Sequence, residues 1–378
     1  MNKNQTKYVS SPYIVFESIN GNKVTVNNLL SDQRIEIEKE LLAVYKHCKE
    51  PGSEEEICCL FEKGLFDRAI DREMIIDNET VWNPMAFQCA EIEVGTICNY
   101  RCEYCPVHFD PKKPRIMSLE KFQAIINEIA NYPGIKDVSL SSFNEPLLDP
   151  FFEQRIDILK NHGLSLILHT NGSKLNKSVV DFLNQSGCVK EVHVNFPYYD
   201  AEKYRGITGS DEFDTVCSNI DYAIETGIQL DFSIQKTDAD YKNNLKVMNQ
   251  VYADRIGKTI TAWTTVDRCG ILQNEYSQGI HISGLLSGCK NILKWLMVNV
   301  DGNCFICSND YYNSYKYGNI LENRLQDIVA SPAYSNLIKC IFGSDDPGEN
   351  FICRKCYEMK IMHTYRRMEK PIKRLLDE

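Results

Sequence analysis

The chain has 378 residues, 43% hydrophobic and 25% charged, which suits globular domains and is too long for one ordinary core. A formal net charge of −10 argues against non-specific nucleic-acid binding. No basic-then-apolar leader opens the chain and no apolar run reaches bilayer length, so no membrane association and a cytoplasmic location are expected.

Residues 1–82 read as a small separate domain. "YIVFES" and "NKVTVNN" are β-rich and joined through Asn20-Gly21, a strong hairpin signal. "RIEIEKELLAVYKHCKE" has helical spacing up to Pro51-Gly52, and Ser53 with Glu56 forms a capping-box pattern for the next helix. Two strands followed by short helices predict a winged-helix-like module. From residue 85 to 270 strand-like and helix-like segments alternate: "AEIEVGTI", "KDVSLSSF", "LSLILHT", "KEVHVNF", "IQLDFSIQ" and "TITAWTT" are six strands with five helical stretches between them. Short connections imply parallel strands with right-handed crossovers. Six units do not close an eight-fold barrel, so an open, partial (β/α)6 barrel of α/β class is expected, with its site at the C-terminal strand ends. Regularity stops in residues 271–360, where cysteines, glycines and aromatics dominate, and residues 361–378 read as a basic helical tail.

Sixteen cysteines are many for a protein of a reducing compartment, and clustered thiols there point to metal. Cys48, Cys58, Cys59, Cys89, Cys188 and Cys217 lie in helix-like or strand-like runs and read as small hydrophobes. Cys98, Cys102 and Cys105 sit in "CNYRCEYC", directly after the first strand of the alternating series. Three thiolates leave one iron of a four-iron cube without a protein ligand, open to substrate or cofactor. Four-coordinate zinc on these cysteines plus His108 is the alternative.

The spacing Cys98-x3-Cys102-x2-Cys105 ahead of six strand-helix units resembles the radical S-adenosylmethionine (radical SAM) enzymes. The resemblance implies a 4Fe–4S cluster whose open iron chelates S-adenosylmethionine. The reduced cluster then splits the cofactor into methionine and a 5′-deoxyadenosyl radical, which removes a hydrogen atom from the substrate. It also implies cofactor contacts. Tyr104 falls at the adenine side. Asn144 and Glu145, in "SSFNEPLLDP", match the family's glycine-glycine-glutamate segment, with Phe143 and Asn144 replacing the two glycines. Asn171 in "HTNG" ends the third strand. Asn195 ends the fourth, at a ribose-contacting position, and Arg205 is placed to pair with the cofactor carboxylate.

Cys289, then Gly302 and Cys307, then "YGNI", then Cys353-x2-Cys356 resembles the C-terminal iron–sulfur extension called SPASM, or its shorter twitch form. No cysteine follows Cys356, so these four thiols imply one fully ligated auxiliary 4Fe–4S cluster. Cys304 is an alternative to Cys307, and the role of Cys340 stays open. A four-cysteine zinc ribbon has the same count. Cys269, in "DRCG" after the sixth strand, is a candidate hydrogen-atom donor or a buried small residue.

Residues 1–82 resemble the peptide-recognition module of maturases of ribosomally made peptides, which pairs a leader peptide with a strand edge. That implies a residue of a precursor peptide as substrate, crosslinked, epimerised or oxidised. The alternative is dehydrogenation or epimerisation of a small sugar or cyclitol, as in a radical dehydrogenase of an aminoglycoside precursor. A non-catalytic iron–sulfur or zinc scaffold is the third reading. A flavodoxin- or ferredoxin-like reductant is the expected protein partner of an enzyme of this kind.

Overall fold

The computed structural model describes residues 6–272, 280–362 and 364. The chain divides into two compact units: one from Met1–Ala86, His281–Lys294 and Val329–Glu378, the other from Phe87–Ile280 and Trp295–Ile328. The basic tail expected over 361–378 lies, apart from residues 361, 362 and 364, outside the described residues.

In the first unit β1 (Lys7–Ser10) pairs antiparallel with both β5 (Gly52–Ser53) and β6 (Ile75–Asp77). A second sheet is the meander β2 (Ile14–Asn20), β3 (Lys23–Asn28), β4 (Gln33–Glu38). The β2–β3 hairpin turns at Asn20-Gly21, with Asn20 opposite Lys23. The helical spacing read from residue 34 begins later. Ile35 and Ile37 alternate with polar residues, a strand period that lets β4 pair with β3, and the helix starts at Lys39 and ends at His47. The capping box is present: the Glu56 amide donates to the Ser53 hydroxyl, and the Ser53 amide donates to the Glu56 carboxylate at 2.8 Å. Ile14, Phe16, Val24, Val26, Leu41 and Phe66 fill this core. The later segments are pinned internally. Buried Arg354 donates to the carbonyls of Ile282 and Gly284, and Tyr334 donates to the Pro84 carbonyl at 3.0 Å.

The second unit is an α/β partial barrel carried by a nine-stranded sheet. β7 (Cys89–Ile92), β8 (Asp137–Ser139), β9 (Ser165–Thr170), β10 (Val189–Asn195), β11 (Leu230–Gln235) and β12 (Ala262–Trp263) are parallel, each beside its predecessor. Neighbouring parallel strands with helical crossovers curl such a sheet and gather the C-terminal strand ends on one side. The helices are amphipathic, and several begin at a side-chain cap. Ser118 caps Leu119–Ala130, which buries Phe122, Ile125, Ile126 and Ile129, and Asn176 caps Lys177–Ser186. The sixth strand keeps only two of its seven expected residues. On the other side of β7 the sheet continues into β13 (Trp295–Val298), parallel to β7, then β14 (Asn303–Phe305) and β15 (Lys316–Asn319), both antiparallel. Gly318 explains the glycine of "YGNI": a Cβ there would lie 2.6 Å from the Ile328 side chain.

Candidate active site

The C-terminal strand ends of the second unit enclose a cavity of about 300 Å³. Cys98, Cys102 and Cys105 line it, from a loop folded on itself: the Cys105 amide donates to the Cys102 carbonyl at 2.9 Å, and the Tyr100 amide approaches the Cys98 sulfur at 3.5 Å. Cys105 precedes a short helix, Pro106–Phe109, with Pro106 at its first position. Burial pushes the Cys98 thiol up to about 11 and raises Cys102 and Cys105 as well, so without a metal these groups stay protonated near neutrality. An apolar wall of Val107, Phe143 and Tyr311 packs against Cys98 and Cys105. Tyr311 comes from the β14–β15 connection, meets Phe143 edge-on at 4.8 Å and carries the Lys112 ammonium over its ring at 4.8 Å.

Glu145 follows β8. Its carboxylate accepts from the Thr170 hydroxyl (2.7 Å), the Asn171 amide (2.7 Å) and the Leu147 amide (3.1 Å), all within the C-terminal end of the barrel. Burial still pushes Glu145 up to about 7. Asn171 also donates to the Asn99 side chain at 2.9 Å, which ties the strand end to the cysteine loop. Gly172 is required beside it: φ is +79°, and a Cβ would press on Val194 and Val216. Phe143 and Asn144, which stand where the family has glycines, keep negative φ. Asn144 closes the turn itself, accepting from the Ser142 amide (2.9 Å) and donating to the Leu140 carbonyl (3.2 Å). Asn195 donates to the Tyr104 hydroxyl at 2.8 Å, and Tyr104 in turn bonds to the Cys102 sulfur.

Tyr104, Asn144, Glu145, Asn171 and Asn195 therefore share one cavity with the three thiols. Arg205 does not join them. It lies exposed on the helix Ala201–Thr208 and pairs with Asp211 at 3.2 Å. Cys269 is outside the cavity lining, but its neighbour Arg268 is in it. Arg268 (φ +49°) and Cys269 (φ +58°) both take left-handed backbone, costly for non-glycine residues. Arg268 donates to Asn309 at 3.0 Å and lies over the Phe143 ring. Sequence reasoning missed this arginine, and also Glu91 and the stacked pair His169–His193 (4.7 Å, 15°). Only the period-two alternation of their strands, which puts them on one face, signalled those three.

The donor chemistry fits a thiolate-held cluster with a bound polar cofactor. Three thiols and a set of hydrogen-bonding side chains share the cavity, and the buried Asn195 Oδ1 lacks a partner. His108, the fourth ligand of the zinc alternative, is exposed and bonds through Nδ1 to the Arg101 carbonyl at 2.7 Å. Of the second cysteine set, Cys289, Cys353 and Cys356 belong to the first unit and Cys307 to the second. Burial pushes Cys289 up to about 12, with the neighbouring Cys356 adding to the effect. Cys304 is fully buried within β14, and Cys340 lies half-buried on the helix Pro332–Ile341. Among the described residues no three His, Cys, Asp or Glu side chains converge as tightly as a single metal ion requires.

A family model for the Radical SAM superfamily matches residues 92–234, and one for SPASM, an iron–sulfur cluster-binding domain, matches residues 289–357. The chain carries a radical SAM domain followed by a SPASM domain. These domains imply a 4Fe–4S cluster with S-adenosylmethionine and an auxiliary cluster. The fold is that of SuiB from Streptococcus suis. The structure bound to precursor peptide SuiA gives a TM-score of 0.59 at 15% identity over 94% of each chain. The one bound to S-adenosylmethionine gives 0.58 at 16% identity, over 93% of this chain and 94% of that one. Among curated relatives, the GTP 3′,8-cyclase of Pasteurella multocida is 28% identical over 142 residues, 36% of this chain and 41% of the cyclase. The uncharacterised protein MJ0804 of Methanocaldococcus jannaschii is 29% identical over 169 residues, 44% of this chain and 54% of that one. The chain thus spans about half the length of the curated relatives it matches.

Proposed function

We propose that this protein is a radical SAM enzyme that abstracts a hydrogen atom from a residue of a ribosomally made precursor peptide. The observation that carries the catalytic part is the meeting of Cys98, Cys102 and Cys105 with Glu145 and Asn195 in one cavity. When bound, the reduced cluster and S-adenosylmethionine supply one-electron cleavage of the sulfonium and hydrogen-atom abstraction. In this reading the three thiolates hold three irons. The wall of Val107, Phe143 and Tyr311 excludes water from them. Glu145, with Asn144 and Asn171 bracing its loop, would hold the cofactor's ammonium. Asn195 Oδ1 would accept from a hydroxyl of the cofactor, and Tyr104 orients Asn195 through their 2.8 Å bond. Cys289, Cys307, Cys353 and Cys356 hold the auxiliary cluster, as electron acceptor or structural anchor. Arg268, not Arg205, is the guanidinium that lines the cavity.

The peptide reading draws support from the N-terminal strands and helices of residues 1–82 and from a fold shared along 94% of the chain with SuiB, a protein seen bound to its precursor peptide. The meander leaves β2 and β4 as its edge strands, and an extended leader adds to such an edge by backbone hydrogen bonds. A flavodoxin- or ferredoxin-like reductant and a cytoplasmic location belong to the same proposal. Among the described residues no helix is long and apolar enough to cross a membrane. A second reading, oxidation or epimerisation of a small sugar or cyclitol, is favoured by the polar cavity lining of Glu91, His169, His193 and Gln235.

Anaerobic reconstitution, reduction and chromatography for 5′-deoxyadenosine test the catalytic part. Formation at a rate dependent on S-adenosylmethionine is expected, and a colourless protein that binds zinc instead of iron and sulfide overturns it. Fluorescence anisotropy with short precursor peptides encoded beside the gene tests the peptide part. Leader binding in the micromolar range is expected, and turnover of a sugar without any peptide binding selects the second reading.

A further inference from the structure

Two buried acceptors of the cavity lining lack a partner: Asn195 Oδ1 and Glu91 Oε1. The first lies beside Tyr104 and the cysteine loop, and a cofactor hydroxyl satisfies it. The second lies on β7, opposite Ser139 of β8, and nothing assigned to the cofactor reaches for it. The Glu91 carboxylate has a hydrogen bond to Ser142 on its other side. A buried carboxylate short of donors is costly unless a ligand supplies them.

The rest of the lining indicates which ligand. Apart from thiols and phenols, its ionisable groups are Glu91, Glu145, His169, His193 and Arg268. Glu145 already accepts three hydrogen bonds. Arg268 is held by Asn309 and the Phe143 ring. His193 directs Nε2 at Glu191 (2.9 Å), away from Glu91. His169, stacked on it, is pushed down to about 4 by burial and by the neighbouring imidazole, so it is neutral. The wall around Glu91 thus holds one permanent cation, Arg268, whose charge draws on Glu91 but leaves its free oxygen without a hydrogen bond.

We propose that Glu91 is the recognition residue for a cationic nitrogen on the substrate, an ammonium or guanidinium group that donates to its unpartnered oxygen. This deepens the reading of the cavity as the place of reaction and does not depend on the substrate being a peptide. A hydrocarbon chain of equal length leaves the acceptor unsatisfied, and a carboxylate is repelled by it.

The test uses the anaerobically reconstituted holoenzyme with S-adenosylmethionine and two probes, Nα-acetyl-lysine amide and Nα-acetyl-norleucine amide, titrated by calorimetry or ligand-observed NMR. The lysine probe is expected to bind about tenfold tighter or more, as a charge-assisted hydrogen bond implies. Glu91→Gln is expected to bring the ratio near one, and Glu91→Asp to retain part of it. Equal affinities in the wild type, or an unchanged ratio in Glu91→Gln, overturn the proposal. If Glu91→Gln does not fold, the wild-type ratio still decides. The effect of S-adenosylmethionine on the cluster's EPR spectrum, recorded on the wild type, reports separately on the catalytic reading.

Discussion

The thiols of residues 98–105 and those of residues 289–356 are distributed along the chain in different ways. The first three share one loop, whose own backbone bonds set their spacing and whose strand, β7, delivers them to the cavity. The other four are spread along the chain, Cys307 in one compact unit and Cys289, Cys353 and Cys356 in the other. A ligand set held by one loop is a property of a short peptide. A dispersed set exists only when distant segments pack correctly, so its membership is decided by burial and not by spacing.

Substitution of single cysteines breaks or sharpens this contrast with the largest effect. Cys102→Ala is expected to lower 5′-deoxyadenosine formation to the background without enzyme and to remove the iron of one cluster, because in the proposed site one loop supplies every protein ligand of that cluster. Cys304→Ala is expected to keep the full iron content. Its side chain is fully buried inside the extended sheet, so the change acts on packing and costs on the order of 1 kcal/mol. Iron and sulfide analysis beside a denaturation curve checks both. Loss of about four irons in Cys304→Ala moves that residue into the auxiliary ligand set.

Arg155 shows that the loop's neighbours are less local than the loop. It is fully buried, pairs with Asp149 at 2.5 Å, donates to the Met117 carbonyl and lies against the rings of Phe122 and Phe151. It thereby fixes the segment after Glu145 to the entrance of the helix Leu119–Ala130. Arg155→Met is expected to destabilise the protein by about 3–5 kcal/mol, because it leaves Asp149 buried without its cation. The double variant Arg155→Met/Asp149→Asn is expected to recover part of that loss. Chemical denaturation checks this, and a loss below about 1 kcal/mol assigns the anchoring of the segment to its backbone instead.

Much of the fold was legible because strand and helix periods alternate cleanly from residue 88 onward, with helix caps such as Ser118 and Asn176 marking starts. The cysteine loop, Glu145 and "HTNG" were legible because each is a short motif at a strand end. Arg205 lies instead on a helix surface, where it pairs with Asp211. Arg268 was invisible because two consecutive non-glycine residues in left-handed backbone have no composition signal. The extension of the barrel sheet by β13–β15 was invisible too, since β13 pairs with β7 across a long stretch of sequence and no local pattern signals so distant a partner.

The same contrast separates two carboxylates of the cavity. Glu145 sits in a recognisable motif and has three donors, whereas Glu91 lies in an ordinary-looking strand and is short of one. Burial, the first cause, pushes Glu91 up to about 7, against the pull of Ser142 and Arg268 and with a small push from Glu93. A carboxyl raised above its unfolded value binds its proton more tightly when folded. Its stabilising contribution is therefore complete below about pH 4.5 and is lost as pH rises through about 7. Glu91→Gln removes this titration and leaves that of Glu145 in place. Relative to the variant, the wild type is expected to lose about 2 kcal/mol of stability between pH 5.5 and pH 8. Paired denaturation curves at the two pH values measure it. A difference that does not change with pH means that Glu91 is ionised in the folded protein, with a donor already satisfying its free oxygen.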